Sequence, residues 1–241
     1  GRGAAGESPA PSQGPHHNNQ PPLAPTSDSL SNNLFIGNNI GRIKTTSLKG
    51  PLLSMNTNGA NLHQAQGIPE LFHFAYAKKA NIICGQDPRL HKNNKHKLEK
   101  KARWEWANGE MPHTHFSYGN VVGNKSANNK KTQKRRIGGT FVAIHPSLAP
   151  QVVGQMTDNK LGRWSGLVLQ GKNESNGKRN TVAVISIYFP TQSNKPDSMW
   201  QYQKRQIGGT NPRFAALRDL KQACLDAKKK YGCKFIITGD W

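Results

Sequence analysis

The sequence predicts an α/β layered domain, with helices packed on sheets. Two observations lead there. After residue 34, short β-rich apolar runs and helical runs follow the order β, α, β, several strands, α, β, an order that layers helices against sheets. Several of the apolar runs also end in a carboxamide, a carboxylate or a phenol with a Gly or Pro close by. Rigid strands that end this way hand polar side chains to the loops beyond them, where chemistry is usually placed.

The elements can be taken in chain order. Residues 1–33 hold six of the fifteen prolines, and their large aliphatics are only Leu23 and Leu30. Such a segment buries too little apolar surface to offset its ordering entropy, so it is expected to be a disordered stretch or linker. Residues 34–241 are expected to form the domain. Residues 52–56 read as a strand. Residues 68–79 carry Leu71, Phe72, Phe74, Ala75 and Tyr76 in a helical run, with Pro69 suited to a first turn. Residues 81–86 read as a short buried strand, and 139–145, 151–156, 164–169 and 181–188 as β-rich runs between turn residues. Asn211-Pro212 opens a helix through Tyr231, with Phe214, Leu217, Leu220, Cys224 and Leu225 expected on its buried side. Asn caps that helix well, and Lys228, Lys229 and Lys230 suit its last turn. Residues 234–238 form the last strand. The stretch 88–136 reads instead as a basic, loop-like insertion, with 13 Lys and Arg against 3 Glu, a net charge of +10.

Charge points to the partner. With 34 Lys and Arg against 13 Asp and Glu, the formal charge is +21, which suits a polyanion, nucleic acid first, or a lysine-rich surface kept for solubility. Cys84, Cys224 and Cys233 are scattered and odd in number, so neither a disulfide framework nor a zinc finger is expected. They read as buried thiols in a reducing, intracellular compartment, and the nucleus suits the charge. No apolar run reaches the ~18 residues of a membrane span. His113 and His115 form an HxH pair without a third ligand, so no zinc site is read.

The polar strand ends, in order, are Met55-Asn56-Thr57-Asn58-Gly59, Gln86-Asp87-Pro88, Gly139 to Ile144 followed by Asp158 to Arg163, Tyr188-Phe189-Pro190 and Gly239-Asp240-Trp241. This succession resembles the endonuclease/exonuclease/phosphatase superfamily, which includes apurinic endonucleases, DNase I-like nucleases and the nicking endonucleases of non-LTR retrotransposons. The resemblance spans about residues 50–241. It implies a two-layered β-sandwich flanked by helices, DNase I-like, with the C-terminal part missing: the Asn after Trp241 and a late Ser-Asp-His would lie beyond the sequence. A chain without them is expected to be inactive alone. One departure concerns reach, since Asp87 stands where the superfamily usually has Glu.

The resemblance implies Mg²⁺ or Mn²⁺ as cofactor, with Asp87 and Asn58 as its ligands. Asn56, Tyr188 and Asp240 would be catalytic, Asn56 and Tyr188 donating to phosphate oxygens and Asp240 orienting or deprotonating the attacking water. Each residue also has a plainer reading. Asp87-Pro88 and Asn58-Gly59 are ordinary turn pairs, Asp240 could be a turn Asp, and Tyr188 could be a core tyrosine with its hydroxyl at the rim. DNA is the expected partner, held mainly by its phosphate backbone through Arg89, Lys130, Lys131, Lys134, Arg135 and Arg136. Trp104, Trp106, His113, His115, Phe116 and Tyr118 could stack on exposed bases or wedge a groove, or pack on the domain. Two rival readings keep the fold: a phosphoesterase acting on phosphoinositide, sphingomyelin or nucleotide at an anionic membrane surface, and a catalytically inactive nucleic-acid-binding relic.

Overall fold

The structure, a computed structural model, describes residues 34–36, 41–42, 51–57, 59, 68–124, 133–158, 161–173 and 179–241. The segment 1–33, expected to be disordered, lies outside the described residues, as do Asn58, Lys130 and Lys131.

Ten strands form two five-stranded sheets among the described residues. The first sheet holds β2 (Gly41–Arg42), β3 (Pro51–Asn56), β4 (Ile82–Gln86), β6 (Gln133–Ile144) and β5 (His113–Asn124) in that spatial order. The second holds β1 (Leu34–Ile36), β10 (Lys234–Asp240), β9 (Arg179–Tyr188), β8 (Trp164–Asn173) and β7 (Val152–Thr157). Each sheet contains a parallel pair, β3 with β4 and β9 with β10. Asn56 stands opposite Gln86 in the first pair, and Tyr188 opposite Asp240 in the second. Four polar side chains therefore share a level at the C-terminal ends of four strands.

Three apolar layers follow from side-chain alternation along the strands. Leu52, Ile82, Cys84, Val142, Leu167, Val182 and Val184 pack between the sheets. Leu53, Ile83, Phe141 and Ala143 point the other way, against α1 (Ile68–Ala77) and α2 (Lys95–Glu105), where Leu71, Phe72, Leu98 and Ala102 meet them. Ala183, Ile185, Ile187, Phe235 and Ile237 pack against α4 (Pro212–Tyr231). β4 is buried along its whole length, because a central strand covered on both faces has no solvent side. Burial pushes the Cys84 thiol up to about 12, against a weaker lowering by a hydrogen bond with Thr238; it is a packing residue. Among the described residues no helix is long and apolar enough to cross a membrane.

The structure corrects two sequence expectations. The stretch 88–136 is not a loop-like insertion. It contributes α2, β5 and the start of β6, and its Leu90, Leu98, Trp106 and Phe116 are core residues. Trp106 donates its indole N–H to the Ala80 carbonyl at 2.8 Å, and Phe116 stacks on Tyr118 at 5.8 Å. Of the Trp, Phe and Tyr rings in this stretch only Trp104 stands largely in solvent, at 63 % exposure, with the Arg103 guanidinium over its ring. Charge patterning misled here because α2 puts its lysines outward and keeps Leu98 and Ala102 for the sheet.

The second correction concerns α4. Its caps are as expected: the Asn211 side chain accepts from the Arg213 and Phe214 amides, Pro212 takes the first turn, and Gly232 closes the helix in the left-handed region. Its buried side is as expected at Leu220 and Cys224, which pack in the layer against the sheet, and different at Phe214, Leu217 and Leu225. Ala216, Leu220 and Ala227 face the sheet with Ala223 half-buried, whereas Phe214, Leu217 and Leu225 face solvent. Alanines at that spacing let the helix axis lie close to the strands, so the larger residues are displaced outward.

Leu220 is 4 % exposed and Leu217 43 %. Leu220→Ala should therefore lower stability by about 2–5 kcal/mol, and Leu217→Ala by no more than about 0.5 kcal/mol. Urea denaturation of the two variants checks this, and equal losses would restore the face expected from the sequence.

Candidate phosphate site at the strand ends

The two sheets are tied together by polar bonds at the end where the site lies. The buried Gln86 side chain reaches across from β4, its Nε2 2.9 Å from Ser186 Oγ on β9 and 3.2 Å from Ser54 Oγ on β3. The Ser186 hydroxyl in turn donates to the Gly85 carbonyl at 3.1 Å. Beside this, Thr140 Oγ1 donates to Ser165 Oγ at 2.9 Å. Buried polar groups need such partners, and Ser186 and Ser165 supply them from the opposite sheet, Ser54 from the same one.

Just above that layer the expected residues converge. Asn56 Nδ2 donates to Asp240 Oδ2 at 2.7 Å, joining side chains 184 residues apart. Tyr188 lies between the two carboxylates in its electrostatics: its phenol is pushed up to about 12 by burial first and then by the negative charges of Asp87 and Asp240, with Arg89 opposing. The phenol therefore stays protonated and able to donate near neutral pH. Tyr188 is itself fixed from below, because its amide donates to the Arg163 carbonyl at 2.7 Å. Arg163 is buried, paired through its Nη2 to Asp158 at 2.7 Å and to Asp219 of α4 at 3.0 Å. The Asp158 to Arg163 motif thus props the site rather than entering it. Removing one partner of such a buried pair leaves an uncompensated charge, at a cost of about 3–5 kcal/mol.

Asp87 is 3 % exposed and follows β4 directly. Its Oδ1 accepts from the Gly138 amide at 2.7 Å. Its Oδ2 accepts from Arg89 Nε at 3.1 Å and from Arg89 Nη2 at 2.9 Å. The turn that brings this pair together is strained. Asp87 has φ +48° and Arg89 φ +53°, each costing roughly 1–3 kcal/mol for a residue with a side chain. Backbone bonds hold it there: the Asp87 amide donates to Gly139 O at 2.9 Å, the Arg89 amide to Gly138 O at 3.1 Å, and the Gly59 amide to Asp87 O at 2.7 Å. Gly59 makes the approach possible: a Cβ there would lie 2.6 Å from Arg89 Nε and Nη1.

Asp87 was expected to hold a divalent ion, and the residues present do not fit one. Its carboxylate is committed to the Arg89 guanidinium and to the Gly138 amide. A dication on those oxygens would face a guanidinium already in hydrogen-bond contact with them. Among the described residues no group of three or more His, Cys, Asp or Glu converges. Asn58, the second expected ligand, lies outside the described residues.

Arg89, expected on the DNA backbone, is here the partner of Asp87. Lys134, Arg135 and Arg136 lie at the start of β6, paired in register with Gly123, Val122 and Val121 of β5. Gln86 stands opposite Thr140 and β4 runs antiparallel to β6, so the residues before Thr140 extend past the C-terminal end of β4. The β5–β6 ribbon therefore overhangs the sheet at the end that carries Asn56 and Asp87. Asn120 ties the ribbon to the Leu161 carbonyl at 2.7 Å, and Ile137 packs with Met199 of α3 (Met199–Gln206). Two partners were missed by sequence reasoning, Gly138 and the Gln86 side chain. The signal for the first was the Ile-Gly-Gly-Thr at 137–140, obscured by its copy at 207–210, whose glycines have open space around them.

No protein-family model matches this chain, and no curated protein does. Among solved structures it is similar to the APE2 catalytic domain of Xenopus laevis, at 16 % identity and a TM-score of 0.39, over 64 % of this chain and 49 % of that one. It is similar to the AP endonuclease LMAP of Leishmania major at 15 % identity and a TM-score of 0.37, over 64 % and 47 %. The human Nocturnin catalytic domain is similar at 10 % identity and a TM-score of 0.38, over 78 % and 62 %. The chain spans about half the length of the first two.

The Tyr188 environment gives a pH expectation. A phenol whose folded pKa is raised contributes stability that is present below pH ~10 and lost as pH rises through the folded value. With Tyr188 raised to about 12, the phenolate absorbance of the native chain should show a last step near there. Tyr188→Phe should delete that step and flatten the stability loss across the same window. A last step that survives the substitution would place the shifted phenol elsewhere.

Proposed function

We propose that this chain is the phosphodiester-binding part of a nuclease-type domain, with nucleic acid as its ligand. The observation that supports this most is the Asn56–Asp240 hydrogen bond, with Tyr188 opposite Asp240 in the strand register. Donors and carboxylates meet at one sheet end, from strands far apart in sequence. In this reading the Asn56 amide and the Tyr188 hydroxyl donate to non-bridging phosphate oxygens, and Asp240 accepts a proton from water held in line with the scissile bond. The Mg²⁺ or Mn²⁺ that the resemblance implies would need Asp87, which is engaged by Arg89, so no step is assigned to a metal.

The overhanging ribbon supplies the second support. Lys134, Arg135 and Arg136 follow one another on a strand that runs past the site, and strand residues are spaced ~3.4 Å apart. Successive side chains alternate between the two faces of a strand, so this run offers basic residues to a phosphate backbone on either face of the ribbon that overhangs Asn56 and Asp87. The chain's charge of +21 adds non-specific attraction, so DNA is expected to bind with little sequence preference and steep salt dependence.

Fluorescence anisotropy with a labelled duplex tests this. Affinity should fall by about 10³ or more between ~50 and ~200 mM salt if six or more phosphates are contacted. Neutralising Lys134, Arg135 and Arg136 together should lower the log–log salt slope by up to about 3. Asp240→Asn should leave affinity within about threefold while reducing any nicking, because it removes a proton acceptor rather than a phosphate contact. Salt-independent binding, or an unchanged slope in the triple variant, would reject the ribbon as the contact surface.

A further inference from the structure

We propose that Arg89 takes the place of a divalent cation at Asp87, so that the strand-end site binds a phosphate oxyanion through a fixed guanidinium and without metal. This deepens the phosphodiester reading above and rests on it for the ligand class. The pairing itself stands on separate geometry. The buried Asp87 carboxylate is contacted by Arg89 through both Nε and Nη2, the two-toothed arrangement in which a guanidinium satisfies a carboxylate as a cation would.

The backbone around the pair is built for it. Asp87 and Arg89 both sit in the left-handed region with only Pro88 between them, and such outliers persist only where surrounding structure over-determines them. Here Gly59, Gly138 and Gly139 each bond to the turn, and Gly59 leaves the space that the Arg89 guanidinium fills. The Asn-x-Asn-Gly and Gly-Gly segments thus converge on one turn, and what that turn presents is a positive group. Asp87 is shorter by one methylene than the Glu expected from the resemblance, and the short side chain holds the guanidinium close to the strand end.

The location also suits an anion. The Arg89 side chain is 42 % exposed while its Asp87 partner is 4 % exposed, so the pair presents its cationic half to solvent. The Tyr188 phenol lies within electrostatic reach of the Arg89 charge and of the two carboxylates. A guanidinium offers five N–H donors in a planar fork. One edge can serve Asp87 while the same plane meets a phosphate, as single arginines do at phosphate sites generally.

Two measurements on the 241-residue chain test the proposal. The first reads Mn²⁺ binding from the free-ion electron paramagnetic resonance signal. The wild-type chain should take up no Mn²⁺ that Asp87→Asn abolishes; uptake that disappears in Asp87→Asn would overturn the proposal, whatever the chain binds. The second follows a dithymidine phosphodiester by ³¹P line broadening at physiological salt, in EDTA and in Mg²⁺. Binding should be the same in both, and Arg89→Gln should weaken it by roughly tenfold or more, the loss expected for one hydrogen bond to a charged group. A gain in Mg²⁺ that depends on Asp87, or Arg89→Gln binding as wild type does, would overturn it. If Arg89→Gln does not fold, Arg89→Lys serves: it keeps the charge, loses the fork, and should weaken binding to a similar degree. Failure of the phosphodiester to bind under any condition, with no Asp87-dependent Mn²⁺ uptake, would reject the phosphodiester reading and with it the assigned ligand; Asp87-dependent Mn²⁺ uptake rejects the Arg89 assignment alone.

Discussion

The structure depends on the Gln86 side chain. Two sheets packed through apolar layers can slide, because apolar contact is not directional. Gln86 reaches Ser186 and Ser54, and Ser186 returns a bond to Gly85. These bonds fix β4 against β9, and through registers on either side they fix β3 against β10. A slide of two residues would set Gln86 against Val184 in place of Ser186, in the apolar layer that also holds Cys84, where an amide without partners costs several kcal/mol. The same bonds hold the Asn56 and Asp240 strand ends within reach of each other. Sheet alignment and site geometry are thus one constraint.

The site is organised around a buried negative charge. Asp87 is too buried to remain unpaired, and Arg89 with Gly138 neutralises it. Asp240 is less buried and pairs with a neutral carboxamide instead. The two carboxylates consequently differ in character: one is locked in an ion pair, the other bonds to an uncharged group. Tyr188 stays a donor because burial first, and then both carboxylates, oppose its ionisation. The props beneath, Arg163 with Asp158 and Asp219, link this corner to α4, so packing of that helix is coupled to the position of Tyr188.

The basic stretch 88–136 does two jobs in consecutive pieces. Its first part packs α2 on the sheet, with charges turned outward. Its second part becomes the β5–β6 ribbon, carrying Lys134, Arg135 and Arg136 past the strand ends. High charge therefore does not mark a loop here. It marks the solvent side of a helix and, after it, a strand pair whose root lies in the core.

Legible in the sequence were the order of β3, β4, β6, β7, β8, β9 and β10 and the identity of the polar residues at strand ends, whereas β1, β2 and β5 went unread. Both are local properties: an apolar run with period two makes a strand, and a Gly or Pro after it makes the chain turn. Asn56, Asp87, Tyr188 and Asp240 were legible for that reason. Tertiary structure decided who pairs with whom. That Arg89 turns back on Asp87 depends on two left-handed residues held by glycines 59, 138 and 139, which belong to other segments. That Leu220 faces the sheet and Leu217 does not depends on how closely alanines let α4 approach. That Trp106 and Phe116 are core residues depends on a sheet edge and helices that their neighbours in sequence do not reveal. Local pattern specifies elements. Side-chain roles at this site are set by contacts across as many as 184 residues, and only packing in three dimensions can choose among them.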